Sequence, residues 1–192
     1  MFALSWRDVP CMIPSTNAKW FAVLCLLGVS FVQAAPPSAD EVIAQAGGKA
    51  AADGKAIYVH FGASWCGWCK RHDAFLELPS VKPVFEKYFV PVKVVVQENQ
   101  QNKGLENPGA EDLLKRLGGP EGLPFLAFLD AKGALIVNSM RVADQGVSRG
   151  NIGHPVAPEE IDWFVTMMKK AAPAMAAADL KVIESALRAQ KK

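Results

Sequence analysis

The chain has 192 residues, of which 51% are hydrophobic and 21% charged, with a formal net charge of +2 at pH 7. This length suggests one domain with room for appendages, and the composition is that of a globular chain rather than a disordered or fibrous one. So small a net charge gives no ground for binding nucleic acid or an anionic membrane surface, and no glycine-rich phosphate-cradling motif is present.

The first element is apolar. Trp20 to Val32, a run of about 13 residues, follows Lys19 and leads into Val32-Gln33-Ala34-Ala35 and Pro36-Pro37, the order of a secretory signal. Residues 1–35 are therefore expected to be a signal peptide cleaved near Ala34-Ala35, which sends the remainder to the periplasm or outside the cell; Met12 is an alternative start. The run is shorter than the ~20 residues a membrane span needs, so any membrane contact would come through this segment left uncleaved. Cys25 lacks the small residues that precede a lipidation site. Cleavage removes Cys11 and Cys25 and leaves Cys66 and Cys69. An exported chain with one close-spaced pair is not a disulfide scaffold, and a bridge over so small a loop stabilises little. The pair is expected to do redox work.

Further on, Ser38 to Ala52 carries Val42, Ile43 and Ala46 at helical spacing, with Ser38 or Asp40 as cap and Gly47-Gly48 as an interruption. Asp53-Gly54 turns into Ile57 to Phe61, a β-branched and aromatic run that reads as a buried strand. Gly62 to Trp65 is a turn. After the two cysteines, Lys70 to Leu78 is expected to be helical up to Pro79, with Lys70-Arg71 on its solvated face. Val81 to Phe89 is a further helix and Val90 to Val96 a second buried strand. Gln97 to Pro108 is a polar loop, Gly109 to Leu117 a short helix, and Gly118 to Gly122 a break. Leu123-Pro124 leads into a third strand, Phe125 to Leu129, which Asp130 to Gly133 turns back into Ala134 to Asn138. Ser139 to Val156 is Gly-rich, polar and irregular, and reads as a loop or insertion at the far edge of the domain. Pro158, Glu159 and Glu160 open a helix whose apolar face is Ile161, Phe164, Val165 and Met168, stopped at Ala171-Ala172-Pro173. Asp179 is expected to cap a last helix, in which Leu180, Ile183 and Leu187 recur. The β-α-β start gives parallel strands, the hairpin adds antiparallel ones, and helices fall on both faces of a small mixed sheet. The expected division is a domain over 36–172 and a C-terminal helical appendage over 173–192.

The chemistry concentrates at Cys66 and Cys69. A helix beginning at Cys66 puts Cys69 about one turn on, on the same face. Free N–H groups and the positive end of the helix dipole favour a thiolate at Cys66. In such Cys-x-x-Cys pairs the thiol pKa falls from about 8.5 into the range ~3.5–7.5. Cys66 would open a substrate disulfide and Cys69 would resolve the mixed disulfide. Trp65 covers one side of the pair, and Trp68 is expected to be an exposed ring beside the thiols, open to substrate contact.

Trp65-Cys66-Gly67-Trp68-Cys69-Lys70 after a buried strand, with Leu123-Pro124 before the third, resembles the thioredoxin superfamily, and more narrowly its exported bacterial members. The resemblance covers about Ile57 to Lys170. It implies an α/β fold, three-layer α/β/α with a central mixed β-sheet. It implies a thiol–disulfide oxidoreductase that acts on protein disulfides, works with a redox partner that resets the dithiol, and needs no cofactor or metal. Pro124 would take the cis form and face the disulfide. Leu123 would offer its backbone to an extended substrate. Gly67 and Trp68, between the cysteines, would tune the reduction potential, which leaves the direction of electron flow unassigned. The family often has a buried acid six residues before the first cysteine; here that residue is His60. His60 reads either as a proton relay to Cys69 or as a hydrogen-bonded core histidine. Lys93 resembles a lysine near that acid, and with the acid replaced its role is open.

Two other readings compete. Cys66, Cys69 and His72 on one helical face would suit a copper-binding metallochaperone of the same fold, although a structural zinc site wants four ligands and Lys70 stands where haem attachment needs histidine. A non-catalytic binding module on the same fold would leave both cysteines idle.

Overall fold

The structure, a computed structural model, describes residues 35–119, 122–142 and 148–190. The expected signal segment lies outside them apart from Ala35.

The sheet is built around β1 (Ala56–Gly62), every residue of which is buried. It pairs in parallel with β2 (Phe89–Val95) and antiparallel with β3 (Phe125–Leu129), and β3 pairs antiparallel with β4 (Leu135–Asn138), giving the order β2-β1-β3-β4. A strand with a neighbour on each edge and helices on both faces must be apolar on both sides, as Ile57 to Phe61 is. Period-two alternation then sorts its side chains. Ile57, Val59 and Phe61 pack with Val94, Phe125, Ala127 and Leu129 against α1 (Ala39–Asp53) and α4 (Ala110–Arg116). Tyr58 packs with Phe89, Leu126 and Phe128 against α2 (Gly67–Leu76), α3 (Lys82–Tyr88), α5 (Pro158–Ala171) and α6 (Ala177–Arg188). The result is the three-layer arrangement with a mixed sheet. His60, two residues on from Tyr58, faces the α2 side.

α1 is closed at its start by a capping box: Ser38 Oγ accepts from Glu41 N at 3.2 Å and Glu41 Oε2 accepts from Ser38 N at 2.7 Å. Gly47-Gly48 does not interrupt it. A Cβ on Gly47 would stand 2.6 Å from the Ala131 carbonyl oxygen, so the glycine serves close approach of α1 to the β3–β4 turn. α6 buries Leu180, Ile183 and Leu187 in the same core as α5. Asp179 does not cap this helix: Ala176 is the N-cap, and Asp179 lies inside the first turn, where it accepts from Lys87 Nζ and Tyr88 Oη.

The segment after β4 departs from expectation. It forms a two-stranded antiparallel ribbon, β5 (Met140–Val142) and β6 (Ser148–Asn151), and lies against the start of β3 rather than at the far edge. Ser139 is fully buried; its Oγ accepts from Leu126 N at 3.0 Å and donates to Asn151 Oδ1 at 2.7 Å. Asn151 Nδ2 donates to the Pro124 carbonyl at 2.9 Å. Polar composition suggested solvent exposure, but these side chains spend their hydrogen bonds on backbone groups of the Pro124–Leu126 stretch.

Candidate functional site

The C-terminal ends of the parallel strands β1 and β2 lie side by side, and the turn after each braces the other. The Glu98 carboxylate, from the turn after β2, accepts both Ser64 N and Ser64 Oγ, the latter at 2.7 Å, and Asn102 Nδ2 donates to Ser64 Oγ at 2.9 Å. Gln97 is the one non-glycine among the described residues with positive φ, +57°. This conformation costs about 1–2 kcal/mol, and in it the Gln97 carbonyl accepts the Trp65 indole N–H at 2.8 Å. None of Gln97, Glu98 and Asn102 stood out in the sequence. The parallel pairing of two buried strands was the available signal, since it brings their following turns together.

Cys66 is the N-cap of α2, at φ −78° and ψ 106°, and its Sγ accepts from Cys69 N at 3.0 Å. The two sulfurs form a disulfide. Cys69 is fully buried and Cys66 retains 4% exposure, while Trp65 and Trp68 on either side are 54% and 49% exposed. Gly67 is exposed between them. The Trp65 indole is about half exposed and is held by its N–H on the Gln97 carbonyl. The Leu123–Pro124 bond is cis, and Leu123 packs on the cluster of Ala63, Cys66 and Cys69. A cleft of about 500 Å³ lies alongside, lined by Trp68, Leu123, Pro124, Ile152, His154 and Glu160. Its far wall comes from the β5–β6 segment and the residues after it.

His60 is buried, with Nδ1 2.9 Å from Asp73 Oδ1, and Lys93 Nζ is 2.5 Å from Asp73 Oδ2. The missing acid is thus supplied from α2, and Lys93 pairs with it. Asp73 lies one turn beyond Cys69, a spacing that places it on the same helical face. Partial burial pushes the Asp73 carboxyl up. The hydrogen bonds and charges of His60 and Lys93 outweigh this and hold it below its usual range.

Behind Trp68 runs a second polar chain. His72 Nε2 is 2.5 Å from Tyr58 Oη, His72 Nδ1 is 2.9 Å from His154 Nδ1, and His154 Nε2 is 2.8 Å from Gln190 Oε1. The His154 ring stacks on Trp68 at 6.3 Å between centroids. One proton arrangement satisfies the chain with both rings neutral: Tyr58 donates to His72, His72 to His154, and His154 to Gln190. Burial pushes the His72 pKa well down, with the charges of His60, His154 and Lys93 adding to it. Burial also lowers His154, against the opposing hydrogen bond to Gln190. Cys66, Cys69 and His72 do not form a ligand set: the sulfurs are bonded to each other, and Tyr58 and His154 engage both His72 nitrogens. Among the described residues no group of three or more His, Cys, Asp or Glu side chains has the geometry to hold a metal ion.

This pair predicts a pH dependence of stability. Below the ordinary histidine value of 6.5 the unfolded chain binds protons that the folded chain refuses. Stability should be full above 6.5 and fall with pH towards the lower folded values, by up to about 1.4 kcal/mol per pH unit for His72. Denaturant midpoints measured between pH 7.5 and 5 should decline; a flat profile would mean that the folded rings take up protons as readily as the unfolded chain, and a rise that they are charged in the fold. Asp73 does not contribute in this window, because its stabilisation is lost only as pH falls below about 3.8.

A disulfide at the start of a helix, beside a cis-proline that opens an antiparallel strand, on a mixed sheet between two helical layers, defines a thioredoxin-type domain. Residues 40–131 match the family model described as thioredoxin-like, and the sheet and helices have the thioredoxin-like arrangement. No curated protein matches the chain. Similar solved structures include a disulphide isomerase from Xylella fastidiosa Temecula1, 20% identical, with a TM-score of 0.44 over 57% of this chain and 79% of that one. The oxidised DsbD C-terminal domain of Neisseria meningitidis is 20% identical, with a TM-score of 0.42 over 70% of this chain and 99% of that one. A thioredoxin from Thermus thermophilus is 23% identical, with a TM-score of 0.35 over 59% and 68%. At these values they are partial likenesses of the backbone and no more.

Proposed function

We propose that the protein is a thiol–disulfide oxidoreductase acting on protein disulfides. The observation that carries this reading is the Cys66–Cys69 pair at the N-terminus of α2, with Cys66 as N-cap, Cys69 sealed behind it and two exposed indoles beside it. In the reduced protein the N–H groups and dipole of α2 stabilise a thiolate at Cys66. That thiolate attacks a substrate disulfide; Cys69 then attacks Cys66 Sγ, and the substrate leaves with both electrons as a dithiol. Run in reverse, the same steps oxidise a substrate.

Trp65 and Trp68 offer apolar contact to the arriving peptide, and Gly67 keeps the approach open. An extended segment laid along Leu123 and Pro124 adds a strand to the site. His60 exchanges the proton of Cys69. The partners are protein thiols and disulfides together with a protein that resets the pair, and no resident cofactor takes part. The periplasm or the extracellular space, reached through residues 1–35, is the compartment in which such chemistry serves folding. Among the described residues no helix is long and apolar enough to cross a membrane.

Dithiothreitol-driven reduction of insulin tests the reading. The wild-type protein should accelerate precipitation of the insulin B chain, and Cys66→Ser should not exceed dithiothreitol alone; equal rates for the two would sink it. The reduction potential of the pair then assigns direction, near about −270 mV for a reductase and near about −120 mV for an oxidant.

A further inference from the structure

The buried His60 has one ring nitrogen engaged and one without a hydrogen-bond partner. Nδ1 meets Asp73 Oδ1 at 2.9 Å, whereas Nε2 is sealed from water and unpaired. Buried polar atoms are rarely left so, and an unpaired one calls for a reason. Gly62 shows what Nε2 adjoins. A Cβ placed there would stand 3.3 Å from Cys69 Sγ and 3.3 Å from His60 Nε2. Sulfur and nitrogen thus border the same side of Gly62, where a methyl group would be crowded and the glycine lets the two approach.

The tautomer follows from the other side of the ring. Asp73 is held ionised by His60 and Lys93, and a carboxylate only accepts. Whenever the His60 ring carries a single proton, that proton therefore sits on Nδ1, and Nε2 presents its lone pair. The ionisable groups packed around this ring are Asp73 and His72 from α2, Lys93 from β2 and Tyr58 from its own strand; the His72 ring centroid is 5.0 Å away. Asp73 keeps 37% side-chain exposure and opens with Lys93 onto a cleft of about 280 Å³, so the dyad stays in contact with solvent while Nε2 does not.

We infer that Asp73 is a positioning residue: it holds the proton on His60 Nδ1, so that Nε2 is the acceptor for the thiol proton of Cys69. This rests on the oxidoreductase reading above and names the residue that arms its second step. In that step Cys66 is bonded to a substrate sulfur. The Cys69 thiol gives its proton to Nε2, the thiolate attacks Cys66 Sγ, the Cys66–substrate bond breaks, and the substrate thiolate leaves with the electron pair. Over the attack and resolution steps together the protein pair is oxidised by two electrons and the substrate disulfide reduced by two. In the opposite direction the imidazolium returns the proton to Cys69.

Two measurements test it. Nitrogen-15 spectra of the intact oxidised protein should show a bare His60 Nε2 and a protonated Nδ1 in wild type and in Asp73→Glu. The pattern should be altered in Asp73→Asn, whose amide can donate to Nδ1. In the second, reduced protein is mixed with oxidised glutathione, then acid-quenched and weighed, to follow formation and resolution of the Cys66–glutathione adduct. In Asp73→Asn resolution should slow about tenfold or more at pH 7. It should also become steeper with pH, since hydroxide must then supply the thiolate, and Asp73→Glu should restore both. A protonated Nε2 in wild type, or Asp73→Asn resolving with the wild-type rate and pH profile after normal adduct formation, overturns the inference and leaves the oxidoreductase reading standing. A wild type that gives neither the Cys66 adduct nor the Cys66–Cys69 disulfide with oxidised glutathione overturns both.

Discussion

Cys69→Ser should turn the protein from a catalyst into a trap. Cys66 would still attack, but the mixed disulfide would wait for an external thiol. A neighbouring thiol in correct geometry reacts as if present at about 10⁵ M or more, so replacing it with millimolar free thiol should lower turnover at least about 1,000-fold. Adducts sensitive to dithiothreitol should appear on a non-reducing gel when the variant meets substrate-containing extract, and none with the Cys66→Ser, Cys69→Ser double variant. The order of the roles is testable in the same experiment. Cys66 is the N-cap and keeps some exposure, whereas Cys69 has none. Adducts formed by Cys66→Ser and absent from Cys69→Ser would reverse the assignment.

The second large effect concerns stability. Phe128→Ala should cost about 3–5 kcal/mol, the range for removing a large aromatic from a packed interior. Phe128 is fully buried near the middle of β3, with ring centroids 4.9 Å from Tyr58, 4.8 Å from Phe89 and 6.2 Å from Phe164. It therefore joins the sheet to α5, and its neighbour Tyr58 holds His72. The urea midpoint should fall with an unchanged slope. Leu135→Ala on β4, where the side chain is 43% exposed, should change stability by less than about 0.5 kcal/mol. Similar losses for the two would mean that the α2–α5 face is loosely packed.

Much of this molecule is readable without coordinates. The apolar run of β1 ending in a turn and two cysteines placed the cysteine pair at a strand-to-helix junction, and Cys66 is indeed the helix cap. Leu123-Pro124 before Phe125 marked the proline loop. Both are signals of adjacent residues: alternation, capping and turn chemistry act over a few positions. Gly47-Gly48 misled because a glycine needed for close packing looks, in sequence, like one that breaks a helix. The segment after Asn138 misled because polar side chains that brace a neighbouring backbone have the same composition as side chains facing water.

What the sequence by itself determined is the close-spaced cysteine pair, its place at the head of α2, and the alternation that builds a mixed sheet with helices on both sides. Only the tertiary structure decided what surrounds that pair. Asp73 and Lys93, 20 residues apart, converge on His60; His72 and His154 are 82 apart, and His154 and Gln190 are 36 apart. Contacts over such separations leave no local period in the chain. They arise because β1 and β2 pair in parallel and because hydrogen bonds from Ser139 and Asn151 fold the segment after β4 back beside Pro124.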